Sequence, residues 1–93
     1  MPNPTSESLV NDERAIVTKW TLPSGAETGS HTHGYDYLVV YLTDGTLTVE
    51  AEGQIFEASI SKHTVTSRPA GVSHNVSNQS SSMIEFIEIE LKH

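Results

Sequence analysis

Apolar side chains recur at alternate positions over short stretches of this chain, and nowhere do they keep the ~3.6-residue period of an amphipathic helix. Between residues 15 and 22, Ile16, Trp20 and Leu22 share one parity, interrupted by Thr18, and Pro23-Ser-Gly25 ends the stretch. Further strand-like stretches follow at 28–33, 37–43, 46–51, 54–60, 64–68, 74–77 and 83–91, separated by clusters of Gly, Asp, Asn and Ser. Asp44-Gly45 is the clearest two-residue hairpin signal. No helix of ten residues can be drawn without crossing a Gly or Pro, so an all-β domain is expected. Its short, frequent strands suit a sandwich or a closed jelly-roll β-barrel, and closure is preferred because it removes unpaired edges.

The last stretch carries a further implication. Phe86 and Ile87 are adjacent, so strict alternation fails unless a bulge shifts the parity or both faces are covered. Cover on both faces would fit a homodimer in which one sheet packs against its mate. At the other end, residues 1–11 are rich in Pro, Ser and Asn and read as a flexible or partner-draped leader, leaving 12–93 as a single domain.

Composition narrows the function classes. The 93 residues are near the lower limit for a self-sufficient core, so a metal or a partner chain is a plausible source of stability. A net charge of −7, from 12 acidic residues against 5 Lys and Arg, argues against nucleic acid and against an anionic membrane surface. With no cysteine, disulfides, thiolate ligands and a cysteine nucleophile all drop out, leaving His and carboxylate as the ligand set. The expected location is cytoplasmic, because no stretch resembles a signal peptide or a membrane span. The acids Glu50, Glu52, Glu57, Glu85, Glu88 and Glu90 fall at alternating strand positions and read as a solvated outer face.

Chemistry concentrates in two phrases, Gly25-x5-His31-x-His33 and Pro69-x-Gly71-x2-His74-x3-Asn78. On a strand, His31 and His33 point to the same face and can address one ion; helical ligand pairs would stand three or four residues apart. The Pro-x-Gly before His74 reads as a turn that re-aims the chain into another strand. Three neutral imidazoles suit a divalent transition metal such as iron, nickel, manganese or zinc, and leave positions open for substrate.

These phrases resemble the paired motifs of the cupin superfamily, Gly-x5-His-x-His-x3,4-Glu-x6-Gly and Gly-x5-Pro-x-Gly-x2-His-x3-Asn. Gly25, His31, His33 and Gly45 match the first; Pro69, Gly71, His74 and Asn78 match the second. The stretch from His31 to Gly45 is similar to the small, RmlC-like single-domain cupins named after a β-alanine degradation protein. The resemblance implies a jelly-roll holding a metal on His31, His33 and His74. Two departures stand out. The expected glutamate ligand falls on Tyr37 or Leu38, and His63 replaces the glycine that opens the second motif, where it reads as a turn residue. Loss of the glutamate resembles the three-His subset of cupins, which includes thiol dioxygenases and a diketone-cleaving enzyme.

A three-His ion keeps its full double charge and should favour anionic or enolisable small molecules. Tyr37 is the candidate catalytic side chain, as a hydrogen-bond donor or acid beside the metal, with Tyr35 next to it and barrel packing as the alternative for both. Glu27 or Asp36 are outside candidates for the missing carboxylate, Asn78 for closing a turn, and His63 and His93 read as solvent-facing. The leading expectation is a small-molecule metalloenzyme of dioxygenase, isomerase or lyase type. The alternatives are a non-catalytic binding or sensing module in the same cavity, with or without metal, and a structural partner protein working through its acidic surface.

Overall fold

The computed structural model describes residues 3–92, so His93 lies outside it. Among these residues nine strands and no helix are present: β1 Thr5–Asn11, β2 Ala15–Leu22, β3 His31–Thr32, β4 Asp36–Tyr41, β5 Gly45–Ala51, β6 Gln54–Ile60, β7 Val65–Arg68, β8 Ser73–Ser77 and β9 Ile84–Leu91. They form two antiparallel sheets, one ordered β1-β2-β9-β4-β7 and the other β3-β8-β5-β6. This is the expected jelly-roll, with one correction. The two sheets face one another without hydrogen-bonding round into a closed barrel, so edges remain at β1, β7, β3 and β6.

The core lies between the sheets. Leu22, Tyr37, Val39, Leu47, Ile60, Val76, Ile84 and Phe86 are buried there, each on the inward parity of its strand, as half-buried pleated surfaces require. Register ties the inward columns together: Leu22 pairs with Ile84, Trp20 with Phe86 and Thr18 with Glu88 between β2 and β9. On the other side of β9, Tyr41, Val39 and Tyr37 pair with Phe86, Glu88 and Glu90. β9 therefore has an inner column that passes from Ile84 and Phe86 to two carboxylates.

Its pairing with β2 and β4 runs without a register shift, so the bulge considered for β9 is absent. Burial on both faces accounts for the adjacent Phe86 and Ile87 instead. Phe86 is in the core, and Ile87, Ile89 and Leu91 are half-buried on the outer face. The register shift in this sheet lies in β1, between Ser8 and Val10.

Two turns depart from expectation. Asp44-Gly45 does not close a hairpin, because β4 and β5 belong to different sheets; it carries the chain across. The hairpin turn is Glu52-Gly53, between Ala51 and its partner Gln54. Its φ angles of 53° and 76° are both positive, as a type I′ turn demands, and glycine takes the second at no steric cost. The region expected as a flexible leader carries β1, paired along β2 and exposed along its length. Lacking a buried face, β1 shows no apolar alternation in the sequence.

Candidate metal centre

Backbone pairing brings the two motifs to one point. His31 and His74 are direct cross-strand partners in the β3–β8 pair, and such pairs place their side chains side by side. His33 follows on the same parity. Its N–H donates to the Val72 carbonyl (2.9 Å) and its carbonyl accepts from Gly71 N–H (2.8 Å), which fastens it to the turn before β8. That turn carries Gly71 at φ 94°, a left-handed conformation open to glycine and strained for larger residues. The Ala70 N–H donates to the Asp36 carboxylate at 2.8 Å, so Asp36 holds the turn and does not enter the site.

The three Nε2 atoms converge. His31 to His33 is 3.0 Å, His33 to His74 is 3.1 Å and His74 to His31 is 3.1 Å, with the rings edge-to-face. The Nδ1–H of His31 donates to the Gly29 carbonyl at 2.8 Å, which leaves its Nε2 lone pair aimed at the common point. Three nitrogens each ~2.0–2.1 Å from one tetrahedral ion would stand about 3.3 Å apart. The observed triangle is within a few tenths of an ångström of that, so the donor set fits a divalent transition ion. His31, His33 and His74 are also the group of potential ligands that lie within 4.8 Å of one another among the described residues.

Electrostatics favour the neutral, ligating form of two of the three histidines. Burial, then the neighbouring His31 and His74, push the His33 pKa down to about 4. Burial, then His31 and the Arg68 guanidinium, push that of His74 down to about 4. Both are therefore neutral at physiological pH. Tyr37 is buried and stacks on His33, with ring centroids 3.9 Å apart and planes at 21°. Burial, and next the Glu88 carboxylate, push its pKa up to about 12, so it stays a phenol.

Of the two positions where the motif glutamate was expected, Tyr37 faces inward and Leu38 faces outward, paired with Ile89 on the outer side of the sheet. Tyr35 is 38% exposed, outside the cavity lining. Glu27 is exposed and accepts a 3.3 Å hydrogen bond from Asn75. His63 occupies an exposed turn at φ 70°. Asn78 does close a turn and does more: fully buried, it donates from Nδ2 to the Leu22 and Ser82 carbonyls (2.8 and 2.7 Å) and accepts at Oδ1 from the Ser80 N–H and Oγ (3.0 and 2.6 Å).

The acidic face needs the largest correction. Glu50, Glu52 and Glu57 are exposed as expected, and Glu85 faces outward beside Lys19 at 3.5 Å. Glu88 and Glu90 instead point inward, their oxygens 3.6 Å from Nε2 and 4.0 Å from Nδ1 of His33. The Trp20 indole N–H donates to Glu88 Oε1 at 3.0 Å. Burial raises the Glu88 pKa, a shift the Trp20 hydrogen bond opposes. Counting by twos from Ile84 and Phe86 would have found both acids.

Beyond the triad lies a cavity of about 180 Å³, walled by His31, His74, Tyr37, Tyr41, Phe86 and Glu88 among others. Arg68, the cross-strand partner of Tyr37, also lines it. The guanidinium hydrogen-bonds the Ser67 carbonyl at 3.1 Å, and among the described residues it forms no ion pair.

A three-histidine centre at the end of a jelly-roll cavity defines a class, and the comparisons agree: residues 18–90 match the family model described as a cupin domain, and the chain belongs to that family. Among particular relatives, it is 46% identical over 83 residues to the β-alanine degradation protein BauB of Pseudomonas aeruginosa, covering 89% of this chain and 87% of that protein. A cupin domain from Bordetella pertussis superposes with a TM-score of 0.95 at 38% identity, covering 99% of this chain and 96% of that one. The polyketide cyclase RemF of Streptomyces resistomycificus shares the fold, with a TM-score of 0.75 at 14% identity over 97% of this chain and 66% of its own.

Proposed function

We propose that this cupin is a small-molecule metalloenzyme whose divalent iron, nickel, manganese or zinc is held by His31, His33 and His74. The observation that carries this reading is the meeting of three Nε2 atoms at 3.0–3.1 Å beside an apolar cavity. A bound ion would supply Lewis acidity, as isomerase or lyase chemistry needs, or, if iron, oxygen activation, as dioxygenase chemistry needs. The rest is done by the chain. At about 180 Å³ the cavity is below the ~300–1,000 Å³ of drug-sized pockets, so the substrate is a small metabolite. Arg68, a cation in the cavity wall without a carboxylate partner among the described residues, would pair with an anionic group of that metabolite. The name of the BauB relative points the same way, since β-alanine carries such a carboxylate. Tyr37 holds the His33 ring by stacking and keeps its proton, so its part is to donate a hydrogen bond and not to act as a base.

The unit is read as one domain over residues 12–93 with β1 as an edge attachment. It works in the cytoplasm without nucleic acid or membrane, as its acidity and lack of cysteine suggest. Two copies pairing through the outer face of the five-stranded sheet would cover its half-buried Leu38, Val40, Ile87 and Ile89.

Elemental analysis of protein purified without chelator, repeated on His31→Ala and His74→Ala, tests the metal. One bound equivalent lost in both variants is expected, and no metal after reconstitution with iron, nickel, manganese and zinc overturns the reading. Oxygen uptake with small carboxylates then separates the oxygenase branch from isomerase and lyase. Ligand binding with no turnover by any metal form would assign a non-catalytic binding module instead.

A further inference from the structure

Strands β6 and β7 end their respective sheets, and both of these edges line the cavity, through Phe56 and Ala58 of β6 and Thr66 and Arg68 of β7. We propose that a small carboxylate enters by the slot between the two edges, with Arg68 binding its carboxylate at the outer end and Phe56 limiting its length. This deepens the reading above and rests on it for what happens at the metal.

The slot shows in the exposure of residues that face inward. Phe56 pairs with Val49, and Val49 with Val76 of β8, which is in the core. An aromatic side chain on that row should be covered by the opposite sheet, yet Phe56 is 50% exposed against 8% for Val76. The five-stranded sheet therefore stops short of it. Arg68 is the counterpart on β7: it pairs with Tyr37, which is 1% exposed, and is itself exposed. Inward rows that are sealed at Val76 and Tyr37 stand open at Phe56 and Arg68, which makes the gap a mouth of the cavity.

Polarity gives that mouth a direction. The triad lies inside it, because β8 and β3, which carry His74 and His31, are the second and third strands in from β6. Val39, Leu47, Val49 and Phe86 provide apolar walls on the way. Of the charged groups in the lining, Arg68 is on the edge strand, and Glu88 is on β9, two strands further in and about 10 Å away at ~4.8 Å per strand. A carboxylate is attracted by the first and repelled by the second, so it stays outermost and the other end of the molecule points to the triad. The cleft at the opposite margin has the reverse character. Glu88 and Glu90 line it with Thr18 and Trp20 beside His31 and His33, and among the described residues no Lys or Arg joins them, so it disfavours an anion. Size sets the limit. About 180 Å³ holds about six water-sized groups at ~30 Å³ each, the bulk of butyrate. A longer chain fills the cavity and pushes its carboxylate outward, into the space beside Phe56.

Amide NMR titrations with butyrate, its neutral isostere butyramide and the longer hexanoate test the slot, on the protein as purified and again after chelator treatment. Saturable shifts at Phe56, Ala58, Thr66 and Arg68 are expected, with butyrate binding about fivefold tighter than butyramide. Arg68→Gln should abolish that preference and Arg68→Lys should keep part of it. Phe56→Ala should move the relative affinity of hexanoate over butyrate by about fivefold in favour of hexanoate. Shifts centred on Thr18, Trp20 and Glu90, no saturable shift at the slot, equal affinity for butyrate and butyramide, or an unmoved length preference in Phe56→Ala would each overturn the proposal and leave the metal reading intact. Butyrate binding at the slot of a protein whose histidines hold no metal would sink the metal reading and keep this one.

Discussion

His31 and His74 face each other across the short β3–β8 pair, and this one register match brings the two motifs to a common ion. Because the ligands lie on separate segments, an ion that binds them closes the fold and should stabilise it by mass action. At a metal concentration one hundred times the dissociation constant, the gain is about 2.7 kcal/mol. Unfolding midpoints in urea should rise with added metal for the unmodified protein. In His74→Ala they should stay flat, while the metal-free stability of that variant changes little.

Asn78 is the least tolerant polar residue outside the site. Replacing it with Ala strands the Leu22 and Ser82 carbonyls and the Ser80 N–H in or near the core. A loss of about 3 kcal/mol is expected, since each unsatisfied buried group costs ~1–3 kcal/mol. Equilibrium denaturation measures it; a loss below ~1 kcal/mol would mean that water replaces the amide.

Acid should weaken the metal-free protein. His33 and His74 are held at about 4 against an ordinary 6.5, so the unfolded chain binds more protons between those values. Their contribution is present above pH 6.5 and is lost as pH falls towards 4. Glu88, with a raised pKa, acts in the opposite sense: its protonation stabilises the folded chain as pH falls. Two histidines against one carboxylate give a net decline. Urea midpoints between pH 7 and pH 4.5 should fall, and the fall should be reduced in the His33→Ala variant.

The outer face of the five-stranded sheet offers a test of association. Val10, Val17, Ile89 and Leu38 form one row across four strands, and Ile87, Val40 and Val65 the next. Val10 is 42% and Val65 56% exposed. Light scattering after gel filtration should give twice the chain mass for the unmodified protein and a monomer for Ile89→Glu. A monomer in both cases would end the pairing proposal.

Much of the site was legible in the sequence because strand parity and turn chemistry are local. The spacing of His31 and His33 requires a strand, and Pro69-x-Gly71 does turn the chain into β8. What stayed hidden depends on pairing between distant strands. Glu88 and Glu90 looked like outer-face acids because the Phe86-Ile87 step left the parity of β9 ambiguous, and pairing with β2 and β4 decides it. Asp44-Gly45 had the composition of a hairpin turn, yet its flanking strands part into different sheets. β1 was hidden because an edge strand without a buried face leaves no apolar period to read.

Strand β9 carries a local frustration. In its native register Ile84, Phe86, Glu88 and Glu90 face inward; a slip of one residue would turn in Glu85, Ile87, Ile89 and Leu91. Three apolar side chains and one acid would then replace two and two, so hydrophobicity alone favours the wrong alignment. The native one is secured by Phe86 and Ile84 fitting the core and by the Trp20 grip on Glu88. Substituting Glu88 and Glu90 by apolar residues would relieve that conflict within the strand and strip the two carboxylates from beside His33.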